Sequence, residues 1–227
     1  TYAISNGITL AELSPREDRI RQRVAMAARR RERVECLAKS ATDTQAAMRV
    51  LRDHGEGDVR PRYRRLNGAM AAPCMHAGGW LAASQTVGSF VAELARSGQR
   101  YWATGTSAPC LSLFRPVSID RPHDVGSPTG EQDDSLWWRF EAIHRTMLAA
   151  DASMLAAFTS ERDRVQALVL ESNEPTAWQL ADNWLQDWQR RLSASTDGDG
   201  RPSWLRRYWQ NLDRQSSQHS RLPWRPA

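Results

Sequence analysis

Lysine is nearly absent from this 227-residue sequence: Lys39 is the only one in a Lys+Arg total of 31. So one-sided a preference for arginine reads as genome composition rather than function. Cysteine is also scarce. Cys36, Cys74 and Cys110 are an odd set, spaced 38 and 36 residues apart, which excludes a disulfide framework and shows no metal-ligand spacing. Buried thiols in a reducing, cytoplasmic compartment are the expectation, with no metal and no cofactor. No apolar run approaches the roughly 20 residues that cross a bilayer. No secretory leader is visible at Thr1, and without an initiator Met that decides nothing.

What is present divides by charge. The formal net charge is +5. From Arg201 onward there are six arginines and one aspartate, so the preceding 200 residues balance to zero. The positive charge therefore belongs to the tail. Residues 193–203 (SASTDGDGRPS) have linker composition. Residues 204–227 form a basic, Trp/Arg-rich tail in which Trp204, Leu205, Tyr208, Trp209 and Leu212 predict a short amphipathic helix. Arginine interleaved with aromatics suits nucleic acid or an anionic membrane surface. A poorly ordered extension is the plainer alternative, and nucleic acid is not expected as a partner.

Within residues 1–192, periodicity predicts helices, then strands, then helices. Residues 1–11 read as a strand. Ser14-Pro15-Arg16-Glu17 is a capping box, and Ile20, Val24, Ala27, Val34 and Leu37 continue as one helical stripe. Arg29-Arg30-Arg31 reads as a solvated face. Thr42-Asp43 caps a second helix with Ala46, Ala47, Val50 and Leu51 inward, closed by Gly55. Residues 55–71 read as a loop. Val87–Leu94, Tyr101–Trp102 and Leu111–Phe114, separated by turn residues, predict an antiparallel meander, with Ser112 turned away from the buried face. Asp133-Asp134 caps a helix running to about residue 171. Pro175-Thr176 opens another, with Trp178, Ala181, Trp184, Leu185, Trp188 and Leu192 on one face. The fold class expected is α+β, an antiparallel meander flanked by helices, with the last two helices a hairpin against the sheet.

Five segments, in order, carry a resemblance: Thr1-Tyr2-Ala3-Ile4-Ser5-Asn6, Cys74-Met75-His76-Ala77, Ser84–Ser89 (SQTVGS), Thr104–Val117 (TGTSAPCLSLFRPV) and Leu136–Arg145 (LWWRFEAIHR). Together they resemble the secernin and dipeptidase A family of N-terminal-nucleophile cysteine peptidases, over residues 1 to about 192. The resemblance implies part of a four-layer αββα sandwich. It also implies a cysteine dipeptidase or amidohydrolase cleaving small peptide or amide bonds. In that family the AISN strand lies mid-chain and the nucleophilic Cys near the N-terminus. The expectation is thus a C-terminal part, inactive until joined in cis or as a second chain to the half that bears the nucleophile. Two alternatives stay open: a non-catalytic scaffold or regulatory member of the same fold, and a protein that binds through its basic tail.

The resemblance implies an oxyanion-donor role for Asn6, against a structural Asn at a strand end. Thr1 as a nucleophile is the weaker idea, because it aligns with the family's interior. Cys74 and His76 invite a thiol–imidazole pair, but the activating group of this enzyme class is an α-amine. A structural Cys and a strand or site-rim His are preferred. Ser84, Thr86, His76 and Arg115 are the candidate substrate-binding residues, Arg115 as a bidentate anchor for a carboxylate. The tryptophans of the late helices read as core.

Overall fold

The structure, a computed structural model, describes residues 3, 19–55, 59–96, 98–127, 132–193 and 199–217. The expected first strand, apart from Ala3, and the capping box at Ser14 lie outside the described residues. The chain forms two compact units, Thr1–Thr86 and Val87–Ala227.

Unit 1 opens with α1 (Arg19–Ala25) and α2 (Ala27–Ala38). The single predicted stripe is broken at Met26, whose φ of 55° is left-handed, a conformation that non-glycine residues adopt only under constraint. Arg30 explains what holds the break. It is buried rather than solvated as expected, and its guanidinium donates to the carbonyls of Ala25 and Met70. Burial alone lowers its pKa from the ordinary arginine value. Helix α3 (Thr44–Leu51) starts where the sequence predicts: Asp43 Oδ1 accepts from Ala46 N at 2.7 Å, a side-chain N-cap. It buries Ala46 and Met48 rather than Val50 and Leu51. A bridged segment then pairs Arg64 with Gly68 and Ala69 with His76.

Unit 2 begins with a hairpin, β1 (Phe90–Ala95) and β2 (Gly98–Ala103), in register Val91↔Trp102. A two-residue β3 (Arg115–Pro116) adds to β2, giving the order β1-β2-β3. Then come α4 (Leu136–Ala149), α5 (Ala152–Glu171), α6 (Glu174–Ser193) and α7 (Ser203–Ser217). The long predicted helix is two helices. Asp151, read as interior, is the N-cap of α5, accepting from Met154 N at 2.8 Å. The N-cap of α4 is Ser135, not Asp133 or Asp134; Asp133 instead accepts from the Ser135 N–H.

The αββα sandwich, and with it the α+β class, is overturned. Seven α-helices among the described residues stand against strands of six, six and two residues. The fold is predominantly helical with a small open sheet. A sandwich core is built from the facing sides of two sheets. Here the core of unit 2 lies on helices: Phe140 and Ile143 of α4, Phe158 and Val169 of α5, Trp184, Leu185 and Trp188 of α6, Trp209 of α7. The hairpin contributes Val91 and Trp102, while Phe90 and Leu94 are 57% and 72% exposed.

The third predicted strand also fails, for an identifiable reason. Pro109–Leu111 is a 3-10 turn, and Leu111, Ser112, Leu113 and Phe114 are all buried, so the alternation expected of Ser112 is absent. The backbone bonds a strand would have made go to helix α5 instead. Gln166 presents its side-chain amide to Phe114 as a surrogate peptide group, accepting from Phe114 N at 2.9 Å and donating to Phe114 O at 3.0 Å. Arg162 donates to the carbonyl of Cys110. Both satisfy buried polar groups that would otherwise cost free energy. The expected helical hairpin is present as α5 against α6, with α6 also contacting β3.

Candidate functional site

The short strand β3 exists where β2 ends, and this places Arg115 beside Thr104 and Gly105 at a cleft of about 310 Å³ in unit 2. Arg115 is 2% exposed. Its Nη1 donates to Asp182 Oδ1 at 2.8 Å, and its guanidinium carbon lies 4.7 Å over the Trp178 ring. The Arg115 Nε and Nη2 are buried and find no hydrogen-bond partner among the described residues. Burial is the largest influence on this guanidinium and lowers its pKa; Asp182 opposes, and nearby Arg139 adds to the lowering. Arginine nevertheless stays charged in proteins.

The cleft wall beside it is aromatic and pinned. The Trp178 indole N–H donates to Pro116 O at 2.9 Å, and His123 stacks on the same ring with centroids 3.9 Å apart. His123 Nε2 is 2.8 Å from Glu174 Oε1. Trp178, expected in the core stripe of α6, is half-buried; Ala177 takes the core position. Thr104 is fixed by a reciprocal pair with Ser89. Its N–H donates to Ser89 O, and its Oγ1 accepts from Ser89 N, each at 2.9 Å.

Two segments of the resemblance meet in a second, closed cluster of unit 2. Glu141 of α4 is buried, with Oε2 3.0 Å from His144 Nδ1 and Oε1 2.8 Å from Arg145 Nε. Ser107 adds a side-chain hydrogen bond. Burial alone would raise the Glu141 pKa. His144, then Arg145 and Ser107, outweigh it and bring it to about 2. Arg145 continues to Asp213 of α7. The order Ser107–Glu141–His144 is not that of a nucleophile triad, in which the imidazole stands between serine and acid. Here the carboxylate is central, which makes the cluster a lock. Helix α7 joins it through Trp209, 1% exposed and edge-on to His144 at 5.4 Å. Leu205 and Trp209 are thus core, not an aromatic surface for nucleic acid.

In unit 1, His76 and Thr86 belong together. Thr86 Oγ1 accepts from Met75 N at 3.0 Å and donates to Pro73 O at 3.2 Å, and Thr86 N donates to Met75 O at 3.0 Å. This ties down the residue between Cys74 and His76. The Sγ of Cys74 is 3.4 Å from His76 Nε2, and that nitrogen is 3.0 Å from His54 Nε2. All three side chains are buried. The Thr86 hydroxyl is thus engaged by the backbone of Pro73 and Met75. Ser84 is exposed. Asn6 and Thr1 lie outside the described residues. Arg115 is the predicted substrate-binding residue at a cleft of unit 2. Sequence reasoning missed Glu141, His144 and His54; the clue to the first two was their i, i+3 interval on a predicted helix, and His54 has no such signal.

No protein-family model, no curated protein and no solved structure matches this chain. Among the described residues no helix is long and apolar enough to cross a membrane.

Proposed function

We propose that the chain is the substrate-binding part of a cysteine-type amidohydrolase acting on small peptide or amide bonds, and that the Arg115 cleft takes the carboxylate of that substrate. The observation that carries the carboxylate assignment is the buried Arg115 with two unpaired N–H groups at the cleft. A fixed cation with two open donors suits a planar carboxylate in fork geometry. Each buried donor left unmatched costs about 1–3 kcal/mol, and a carboxylate, with two acceptor oxygens, can fill both donor nitrogens where a carboxamide offers a single acceptor oxygen. The Trp178 and Trp137 rings at the cleft supply apolar surface for the rest of a small molecule. The hydrolytic part of the reading is supported by the five ordered segments of the resemblance, which assigns the nucleophilic cysteine to sequence outside these residues.

The test compares a dipeptide with its C-terminal amide, followed by tryptophan fluorescence of the 227-residue chain. The free acid is expected to bind at least about 10-fold more tightly, since a charged hydrogen bond is worth roughly 1.5–3 kcal/mol. Arg115→Lys, which keeps the charge and loses the fork, weakens that preference, and Arg115→Gln abolishes it. Equal binding of acid and amide sinks the carboxylate assignment. The hydrolase reading is tested separately by joining the nucleophile-bearing segment, in cis or as a second chain, and assaying dipeptides and acyl amides. No turnover of any of them ends it.

A further inference from the structure

Among the described residues, three potential metal-ligand side chains come together in unit 1. His54 Nε2, Cys74 Sγ and His76 Nε2 all lie within 4.8 Å of one another. We propose that these three residues bind a single zinc-class divalent ion. The inference does not rest on the amidohydrolase reading, since it concerns another unit and other residues.

Geometry is the first support. Zinc bonds of about 2.0–2.1 Å to nitrogen and about 2.3 Å to sulfur in a tetrahedron require N···N edges of roughly 3.3 Å and N···S edges of roughly 3.6 Å. The His54–His76 and His76–Cys74 separations are 3.0 and 3.4 Å. Shifts of a few tenths of an ångström bring those two edges to the tetrahedral values, and the third, from His54 to Cys74, lies within 4.8 Å and closes by side-chain rotation.

The tautomer is the second. His54 Nδ1 lies 2.9 Å from the carbonyl oxygen of Val59. A carbonyl only accepts, so Nδ1 carries the proton, and in the neutral ring Nε2 is a bare lone pair facing the other donors. A ligating histidine is usually oriented in this way, by a carbonyl on its far nitrogen.

The scaffold is the third. Cys74 and His76, two apart on a segment that bends at Pro73–Cys74, turn their side chains toward each other, Sγ to Nε2 at 3.4 Å. That segment is bonded on three sides: Ala69 bridges His76, Thr86 clasps Met75, and Cys74 N donates to Asp53 O at 3.1 Å. The last bond links it to the residue preceding His54. Arg33 grips the Asp53 carboxylate with two bonds of 2.8 and 2.9 Å, and Asp53 Oδ1 also accepts from Gly55 N. All three donors are thus held before any ion arrives. His54 and Cys74 line a cleft of about 740 Å³ that offers a path of entry.

Donor chemistry selects the ion. Two imidazoles and a thiolate suit zinc and its borderline-soft neighbours, whereas magnesium and calcium want carboxylate and carbonyl oxygens. On binding, the Cys74 S–H bond breaks, the sulfur pair goes to the metal and the proton leaves to water.

Cobalt(II) serves as a spectroscopic probe for zinc with the whole chain. One equivalent is expected to give a thiolate-to-cobalt charge-transfer band with intense visible bands of a four-coordinate ion, all bleached by zinc. Cys74→Ser removes the charge-transfer band. His54→Gln and His76→Gln each weaken zinc binding by about 100-fold or more, exceeding what loss of an outer-shell partner typically costs. Cys36→Ser and His123→Gln leave it unchanged. Zinc should also raise the melting temperature of the wild type and not of Cys74→Ser. If a variant fails to fold, the wild-type spectrum and the remaining variants decide. A wild-type chain with no charge-transfer band, or a band that survives in Cys74→Ser, overturns the site and leaves a hydrogen-bonded Cys–His–His chain.

Discussion

Glu141 and Arg115 are both charges 2% exposed in unit 2, and they are built in opposite ways. Glu141 is saturated: His144, Arg145 and Ser107 occupy its oxygens, and Arg145 carries the network on to Asp213 of α7. Arg115 has one bond, to an aspartate side chain 38% exposed, and keeps two buried N–H groups unpaired beside a cleft. A low dielectric strengthens whatever bond is made and raises the penalty for one not made. The first charge is therefore closed by the fold, and the second is the one to which we assign the proposed ligand.

The sharpest way to break this contrast is Glu141→Gln. The change leaves Arg145 and His144 without their shared counter-charge, and stripping one partner from a buried ionic cluster costs about 3–5 kcal/mol. At the size of unit 2 we expect the thermal midpoint to fall by about 10 °C, read by circular dichroism; a fall under two or three degrees would show that the network is not a lock.

The same residue sets an acid limit. Its carboxyl titrates at about 2 in the fold against the ordinary 4.5. Between those values the unfolded chain binds the proton and the native one does not. The contribution of Glu141, on the order of 3 kcal/mol, is thus complete above the ordinary value and drains away as pH falls from there toward 2. Urea titrations across that interval should show stability declining in the wild type, and a shallower decline in Glu141→Gln.

Asp182→Asn probes the open side of the contrast with a smaller effect. Arg115 is buried and Asp182 is 38% exposed, so the loss of the pair should cost about 2 kcal/mol, between an exposed and a fully buried pair, while the freed guanidinium binds a carboxylate ligand several-fold more tightly. Weaker ligand binding in this variant would mean that Asp182 helps hold the ligand rather than competing with it. The smallest effect belongs to Arg190→Ala. Its pair with Asp187 is exposed on both sides, 78% and 45%, and we expect less than about 0.5 kcal/mol by chemical denaturation.

Much of the helical frame was legible because its signals are local. Asp43 caps α3 as read, and the α6 stripe of Ala181, Trp184, Leu185, Trp188 and Leu192 is buried as read. Period and capping depend on residues three and four apart. The errors fall where a partner distant in sequence intervenes. Leu111–Phe114 has the composition of a strand, but Gln166 and Arg162, 52 residues away, take its backbone bonds. Arg30 looked like a solvated face until Met70 claimed it.

The sites divide in the same way. Arg115 was a candidate carboxylate anchor by its chemistry, but that two of its donor nitrogens find no partner among the described residues depends on Asp182 and Trp178, reached through α6. Cys74 and His76 were visible as a pair, whereas His54 joins them only because Cys74 N reaches Asp53. By itself, then, the sequence determined where most helices form, that Asp43 caps α3 and which side chains have the chemistry to bind. The tertiary structure alone decided that the core is helical rather than a sheet sandwich, that Glu141 is closed and Arg115 open, and that three donors from two segments meet. Periodicity is written in neighbours along the chain, while burial and unfilled hydrogen-bonding capacity are properties of neighbours in space.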